Sequence, residues 1–145
     1  MAPSMPSPIR FNAVAMSRVS DIHESVSAHP FAATIERIEA AITQAGMIVF
    51  DRFDHQAGAR EAGLEMPPAT VLRYGHPKGG TPIMVAAPLA ALDLPLRVLV
   101  RVREDGRTVV AFRPIGAVLR GAGVPDALAG RLDGAQRVVV AAVSA

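Results

Sequence analysis

An amphipathic helix with both ends marked constrains the fold of this chain more than any other feature. Between residues 30 and 45, apolar residues recur every three or four positions while charged residues fall on the other sides. Pro30 suits the first helical position, and Gly46 suits the left-handed residue after the last turn. The pattern predicts a helix that buries one stripe, made of Phe31, Ile35, Ile38, Ile42 and Ala45.

Short β-rich segments on both sides of this helix predict a sheet. Their β-branched and aromatic residues favour strands at 22–27, 47–53, 70–74, 96–103 and 108–113. A short Ala-rich helix is predicted at 55–62, and another apolar helix from Pro82 to about Ala91. The carboxyl-terminal segment starts a helix at Asp126, although Val138 to Val140 also suit a strand. Strands and helices in this order indicate a small single α+β domain with an antiparallel-rich sheet.

An Asp-Gly pair at residues 105–106 lies between two of these strands and predicts a hairpin. A two-residue turn pairs Val102 with Val109, whereas a three-residue loop sets Arg97 opposite Arg113. Like charges directly opposite each other destabilise a strand pair, so the two-residue turn is predicted.

One face of this hairpin mixes apolar side chains with arginines. In the predicted register Leu99, Val110 and Phe112 share that face with three arginines. Two interpretations remain open, because exposed apolar patches mark interfaces. Either a second subunit contacts this face, or the chain's own carboxyl-terminal helix or tail covers it.

The amino-acid composition limits the classes of protein to which the chain can belong. Of the 145 residues half are apolar and none is cysteine, which suits one domain in a reducing cytoplasm. The net charge is only +2 and aromatics make up 4%, which argues against a nucleic-acid partner. No apolar run approaches the roughly 18 residues that span a bilayer, so a membrane protein is not expected. Residues 1–18 are rich in Pro and Ser and predict a flexible tail before a domain at 19–145.

Four pieces of the sequence, in this order, resemble the domain of unknown function 302 family. They are Phe53-Asp-His55, Gly63-Leu-Glu-Met-Pro-Pro68, Gly75-His-Pro-Lys-Gly-Gly-Thr-Pro82 and Leu92-Asp-Leu-Pro-Leu-Arg97. The resemblance covers about residues 22–114, and it implies a compact α+β fold and a homodimer but no activity. His76 departs from the pattern, since the family's loop typically has Asn there.

The glycine-rich segment is the predicted ligand site. It joins a predicted strand to the helix predicted from Pro82, with Thr81 as its N-cap. Free amides at a helix start attract anions, and Lys78 adds positive charge, so a small anionic ligand is expected there. The predicted ligand-binding residues are Gly75, His76, Lys78, Gly79, Gly80 and Thr81. The alternative is that the glycines only form a tight turn.

Two other functions remain open. An enzyme would use His55 or His76 as acid or base, with Lys78 or Arg73 steadying negative charge. That hypothesis requires His55, His76 and Lys78 to converge within about 12 Å. Asp54 and His55 are adjacent, so they cannot form an oriented pair on a strand, and Asp54 is expected to cap the following helix. The other function is a structural or protein-interaction domain, which predicts no pocket beside the loop.

The sequence predicts no metal and no cofactor. The four histidines lack the spacing of a compact ligand set, and there is no cysteine. Neither a nucleophile elbow nor a dinucleotide-binding fingerprint is present.

Overall fold

A computed structural model describes residues 21–145 as a five-stranded antiparallel sheet with helices packed on one face. The α+β prediction is therefore confirmed, while the predicted tail at 1–18 lies outside the described residues. The strands are β1 (His23–Val26), β2 (Ile48–Asp54), β3 (Ala69–Gly75), β4 (Leu96–Val102) and β5 (Thr108–Phe112). The helices are α1 (Phe31–Gln44), α2 (His55–Glu61), α3 (Pro77–Ala86), a 3₁₀ helix (Pro88–Asp93), α4 (Ile115–Gly121), α5 (Asp126–Ala129) and α6 (Asp133–Val143).

The strand order is β1-β5-β4-β3-β2, so β1 and β2 form the two edges of the sheet. The predicted helix at 30–45 is confirmed as α1, which joins these two edges. Pro30 is its N-cap rather than its first residue, and Ala45, predicted in the buried stripe, is exposed because the helix ends at Gln44. Its residues Ile35, Ile38 and Ile42 are buried in the core, and the helix packs on the sheet and on α6. Gly46 ends the helix with a φ of 82°, and the amide of Met47 donates to the carbonyl of Ile42 (3.0 Å).

The β4–β5 hairpin has a different register from the predicted one. Val102 lies opposite Thr108, and the Arg103 amide donates to the Arg107 carbonyl (2.8 Å). This pairing leaves a three-residue loop at 104–106, so the predicted two-residue turn is wrong. Gly106 has a φ of 82°, as a three-residue loop with a glycine bulge requires. Asp105 offsets the charge repulsion, since it accepts hydrogen bonds from the Arg103 guanidinium (2.7 Å) and the Arg107 amide (3.0 Å).

This register places a mixed row of side chains on the face opposite the helices, here called the open face. It carries Asp51, Phe53, Val71, Arg73, Arg97, Leu99, Arg101 and Ala111, all at least partly exposed. Val110 and Phe112, which were expected on the arginine face, pack with the core instead. The carboxyl-terminal segment is helical, and α6 packs on α1 rather than on the open face. Cover by this helix is therefore the wrong interpretation of the arginine face.

The chain beyond β3 also differs from the prediction. Helix α3 begins at Pro77, so Thr81 is not its N-cap and Pro82 lies inside it. The reason is His76, whose Nδ1 accepts a hydrogen bond from the Lys78 amide (3.1 Å) and caps the helix five residues early. The predicted helix from Pro82 to about Ala91 is in fact the end of α3 and the 3₁₀ helix.

Substituting Gly106→Ala should destabilise the fold by about 1–2 kcal/mol, because a Cβ is strained at positive φ. Urea unfolding followed by circular dichroism measures the change. Gly58→Ala is the matched control, since Gly58 lies within α2 with open space around its Cα and has no positive φ. Equal stabilities of the two variants would contradict the three-residue loop.

Candidate functional site

The glycine-rich segment turns directly from β3 into α3. The amides of Gly79 and Gly80 both donate to the carbonyl of His76, at 3.0 and 3.1 Å. The amide of Lys78 donates to the His76 ring. These donors are bonded to the chain itself, so the expectation of free amides aimed at an anion is wrong.

The segment instead forms one side of an apolar pocket of about 450 Å³, here called the loop pocket. Strands β2 and β3, helix α3, the approach to β4 and the start of α6 all contribute to it. Among the described residues, the lining includes no Lys, Arg, Asp or Glu, and Lys78 is exposed outside it. The lining residues are Met47, Phe50, Tyr74, Gly75, His76, Pro77, Gly79, Gly80, Thr81, Met84, Leu94, Pro95, Leu96, Leu132 and Ala135.

Tyr74 brings a buried polar group to the lining of this pocket. The side chain is fully buried, and its hydroxyl has no hydrogen-bond partner among residues 21–145. Burial raises the pKa of Tyr74, so the hydroxyl remains protonated at neutral pH and is a hydrogen-bond donor. An unpaired buried polar group costs about 1–3 kcal/mol, so a group that accepts from this hydroxyl would recover free energy.

The glycines of α3 shape the pocket through the side chains they lack. A Cβ at Gly79 would lie 3.2 Å from Cδ2 of Leu132, closer than side chains normally pack. A Cβ at Gly80 would meet Met84 (3.6 Å) and Leu94 (3.7 Å), both of which line the pocket. A larger residue at position 80 would therefore project into the pocket.

The catalytic candidates do not converge. Asp54 is paired with Thr70 at one end of β3, whereas His76 follows Gly75 at the other end. Five residues of extended strand span about 17 Å, so His55 and His76 exceed the limit for catalytic partners. His55 is exposed and packs edge-on against Phe53, with 4.9 Å between ring centroids. Asp54 caps α2 by accepting from the Ala57 amide (2.9 Å), as expected.

Arg73 is also occupied elsewhere. Its guanidinium forms an ion pair with Asp51 on the open face, with 2.8 Å between Nε and Oδ1. Hydrogen bonding from Arg73 lowers the pKa of the Asp51 carboxyl below its usual value. Arg73 is therefore not placed to steady charge at the glycine-rich segment.

Residues 21–145 contain neither a metal-ligand group nor a membrane-spanning helix. Within that range no three His, Asp or Glu side chains come together in a group suited to a metal ion. None of the helices there has the length and apolarity needed to cross a bilayer.

Sequence reasoning missed the residues that give the pocket its chemistry. Tyr74 is the single tyrosine of the chain, and strand alternation alone indicates only that it faces the core. That its hydroxyl lacks a partner depends on distant segments. Phe50 and Met47 carry no local signal for a pocket either, because β-rich runs contain such residues for packing.

A family model described as a domain of unknown function, DUF302, matches residues 23–144. The match extends about thirty residues beyond position 114, where the sequence resemblance was expected to end. It takes in the whole sheet and all the helices named above.

Three curated relatives share 48% identity with this chain over 80 residues. They are named fluoride-specific ion channel FluC 1 in Brucella suis and in Brucella abortus, and FluC 2 in Brucella melitensis. The matched stretch is 55% of this chain and 29–31% of those proteins. The chain therefore spans less than a third of their length.

A solved structure has the same fold. It is an uncharacterized conserved DUF302 protein from Bacillus stearothermophilus, with a TM-score of 0.73 and 20% identity. The superposition covers 84% of this chain and 94% of that one.

Proposed function

The chain belongs to the DUF302 family, and from that premise we propose that it is a small-molecule binding module whose site is the loop pocket. The ligand class is a neutral, mainly apolar molecule with one hydrogen-bond acceptor. The Tyr74 hydroxyl carries this proposal: Tyr74 lines the pocket, and a bound acceptor would satisfy a buried donor that has no partner among residues 21–145.

The size and lining of the pocket support the same ligand class. Its volume of about 450 Å³ falls within the range of small-molecule sites. Met47 and Met84 are flexible and polarizable, so they can adapt to the shape of an apolar ligand. Glycines at 79 and 80 keep the wall next to the ligand free of side chains.

An anion fits this pocket less well. A negative charge buried there would meet neither a Lys or Arg side chain of the lining nor a free amide of Gly79 or Gly80. The curated relatives are named for fluoride, yet a small, strongly hydrated anion gains nothing in an apolar lining. We therefore do not assign fluoride to the loop pocket.

The two other functions have less support. An enzyme built on both histidines fails because His55 and His76 lie at opposite ends of β3. A purely structural domain predicts no pocket beside the loop, whereas a pocket is present there. The homodimer implied by the family resemblance remains a prediction.

Acetophenone is a suitable probe, because it joins an apolar ring to a single carbonyl acceptor. Nuclear magnetic resonance titration should shift the amide signals of Gly79 and Gly80. Tyr74→Phe should weaken binding about tenfold, the equivalent of one hydrogen bond. Gly80→Val should abolish binding by filling the pocket, while Gly58→Ala should leave it unchanged.

Ligand controls separate this proposal from an anion site. Ethylbenzene keeps the shape but lacks the acceptor, and it should bind the wild type about as weakly as acetophenone binds Tyr74→Phe. Benzoate and fluoride should not shift the pocket signals. Tyr74→Phe should also unfold at a temperature equal to or above that of the wild type, since it removes an unpaired buried hydroxyl. Binding of benzoate as tight as that of acetophenone would overturn the proposal.

A further inference from the structure

On the open face, arginines lie opposite one another on β3, on β4 and one residue beyond the end of β5. Arg73 on β3 is directly opposite Arg97 on β4. Leu99 is opposite Ala111, and this register continued by two residues sets Arg97 opposite Arg113. Cross-strand like charges destabilise a sheet, so this row is stabilised by any anion that lies along it.

Only one end of the row is neutralised. Asp51 on β2 pairs with Arg73. Within residues 21–145, Arg97 and Arg113 form no ion pair and no side-chain hydrogen bond, and both are exposed. Two guanidinium groups that line the same groove are thus available to an external anion.

A groove of about 440 Å³ joins these two arginines to an apolar surface. Here called the arginine groove, it lies where β4 begins and β5 ends. Val71, Leu99 and Ala111 contribute its apolar side chains from three neighbouring strands. Leu92 of the 3₁₀ helix adds a side chain that is 76% exposed.

We propose that the arginine groove binds a small amphiphilic carboxylate. The carboxylate would bridge Arg97 and Arg113, whose planar guanidinium groups suit carboxylate oxygens in paired hydrogen bonds. The apolar body would cover Val71, Leu99 and Leu92, which are otherwise exposed to water. This second site goes beyond the proposed function, since the loop pocket shares only Leu96 with the arginine groove and has no Lys, Arg, Asp or Glu among its lining residues.

Charge favours this occupant over a second copy of the chain. Across the strands, the open face carries Arg73, Arg97 and Arg101, with Arg113 at its end, against the carboxylates of Asp51 and Glu24. Two such faces packed together would bring the excess of arginines on each copy into contact. A carboxylate ligand instead neutralises this excess.

Asp93 allows the proposed role of charge in the arginine groove to be tested with the opposite sign. Its carboxylate lines the same groove as Arg97 and Arg113 but pairs with no cation in residues 21–145. It opposes a bound anion by like-charge repulsion. Removing this charge should therefore strengthen binding, whereas removing an arginine should weaken it.

Octanoate, used below its micelle concentration, is the probe for this groove. Isothermal titration calorimetry measures its affinity, and methyl signals of Val71 and Leu99 report its location. Arg97→Gln and Arg113→Gln should each weaken binding about tenfold, and Asp93→Asn should strengthen it several-fold. Arg120→Gln is the control of equal charge change, because Arg120 pairs with Asp126 on the helical side and does not line the groove.

The comparison of ligands decides the outcome. Octan-1-ol and octylammonium should bind at least tenfold more weakly than octanoate, and rising salt should weaken octanoate binding. Equal binding of octanoate and octan-1-ol, or affinities unchanged by both arginine substitutions, would overturn the proposal. So would light scattering that shows a stable dimer whose Val71 and Leu99 signals do not respond to octanoate, since a second copy would then occupy the face. Acetophenone binding to Arg97→Gln should match the wild type, which keeps this site separate from the loop pocket.

Discussion

Replacing Ile38 with alanine is expected to lower the free energy of unfolding by about 3–4 kcal/mol. Ile38 is fully buried at the middle of the α1 stripe, between Ile35 and Ile42. Helix α1 packs on both the sheet and α6, so the lost methyl groups leave a cavity that neighbours on two sides cannot easily close. The melting temperature should fall by about 10 °C for a chain of this size.

Ile48→Ala is the matched control, because Ile48 is 43% exposed on the edge strand β2. It should cost no more than about 1 kcal/mol. Urea unfolding of both variants, followed by circular dichroism at 222 nm, gives the comparison. Losses of similar size would mean that α1 does not bury the stripe that its sequence periodicity indicates.

Local periodicity explains why much of the fold could be predicted. The α1 stripe and the left-handed Gly46 are both encoded within a few residues, and both are present. All five strands and α2 also appear close to their predicted bounds, as does the Asp54 cap. Burial on the sheet follows from strand alternation once the register is known.

The wrong predictions arose where two local sequence patterns favoured different structures. Pro77 and Pro82 both suit a first helical position, and the ring of His76 decides for the earlier one. At the hairpin, opposed arginines argued for a two-residue turn, but a glycine at positive φ favours the longer loop. Asp105 reduces the repulsion there, an effect that residue-by-residue charge counting overlooked.

The candidate site was located better than it was characterised. Gly75, His76, Gly79, Gly80 and Thr81 do line a pocket, whereas Lys78 does not. A glycine indicates that another group can lie close to the backbone, but it does not indicate what kind of group that is. The apolar lining and the missing partner of Tyr74 arise from segments far apart in sequence, so no local pattern could predict them.

Helix α4 was not predicted at all, and its start shows why. Pro114 precedes the helix and provides no side-chain cap. The first amide, of Ile115, instead donates to Oε1 of Gln136 (2.9 Å), a residue on α6. Nε2 of Gln136 donates in turn to the carbonyl of Arg113 (2.9 Å). A cap supplied from 21 residues away leaves no local signal.

Gln136→Leu should therefore cost about 3 kcal/mol, because it leaves one amide and one carbonyl without a partner while keeping the side-chain volume. Gln136 is only 5% exposed, so water cannot easily replace the lost bonds. Urea unfolding measures the loss, and hydrogen exchange should accelerate at the Ile115 amide.

Gln56→Leu makes the same chemical change at an exposed position, where Nε2 donates to the carbonyl of Met66 (3.1 Å), and it should cost less than about 1 kcal/mol. Gln136→Asn should recover little of the lost stability, since the shorter side chain cannot reach both partners. If Gln136→Leu proved as mild as the control, α4 would have to be held by its apolar contacts at Ile115 and Leu119 alone. Gln136 also lines the arginine groove, and its side chain holds the carbonyl of Arg113 directly after β5. Gln136→Leu should therefore also weaken octanoate binding, because Arg113 would be held less firmly.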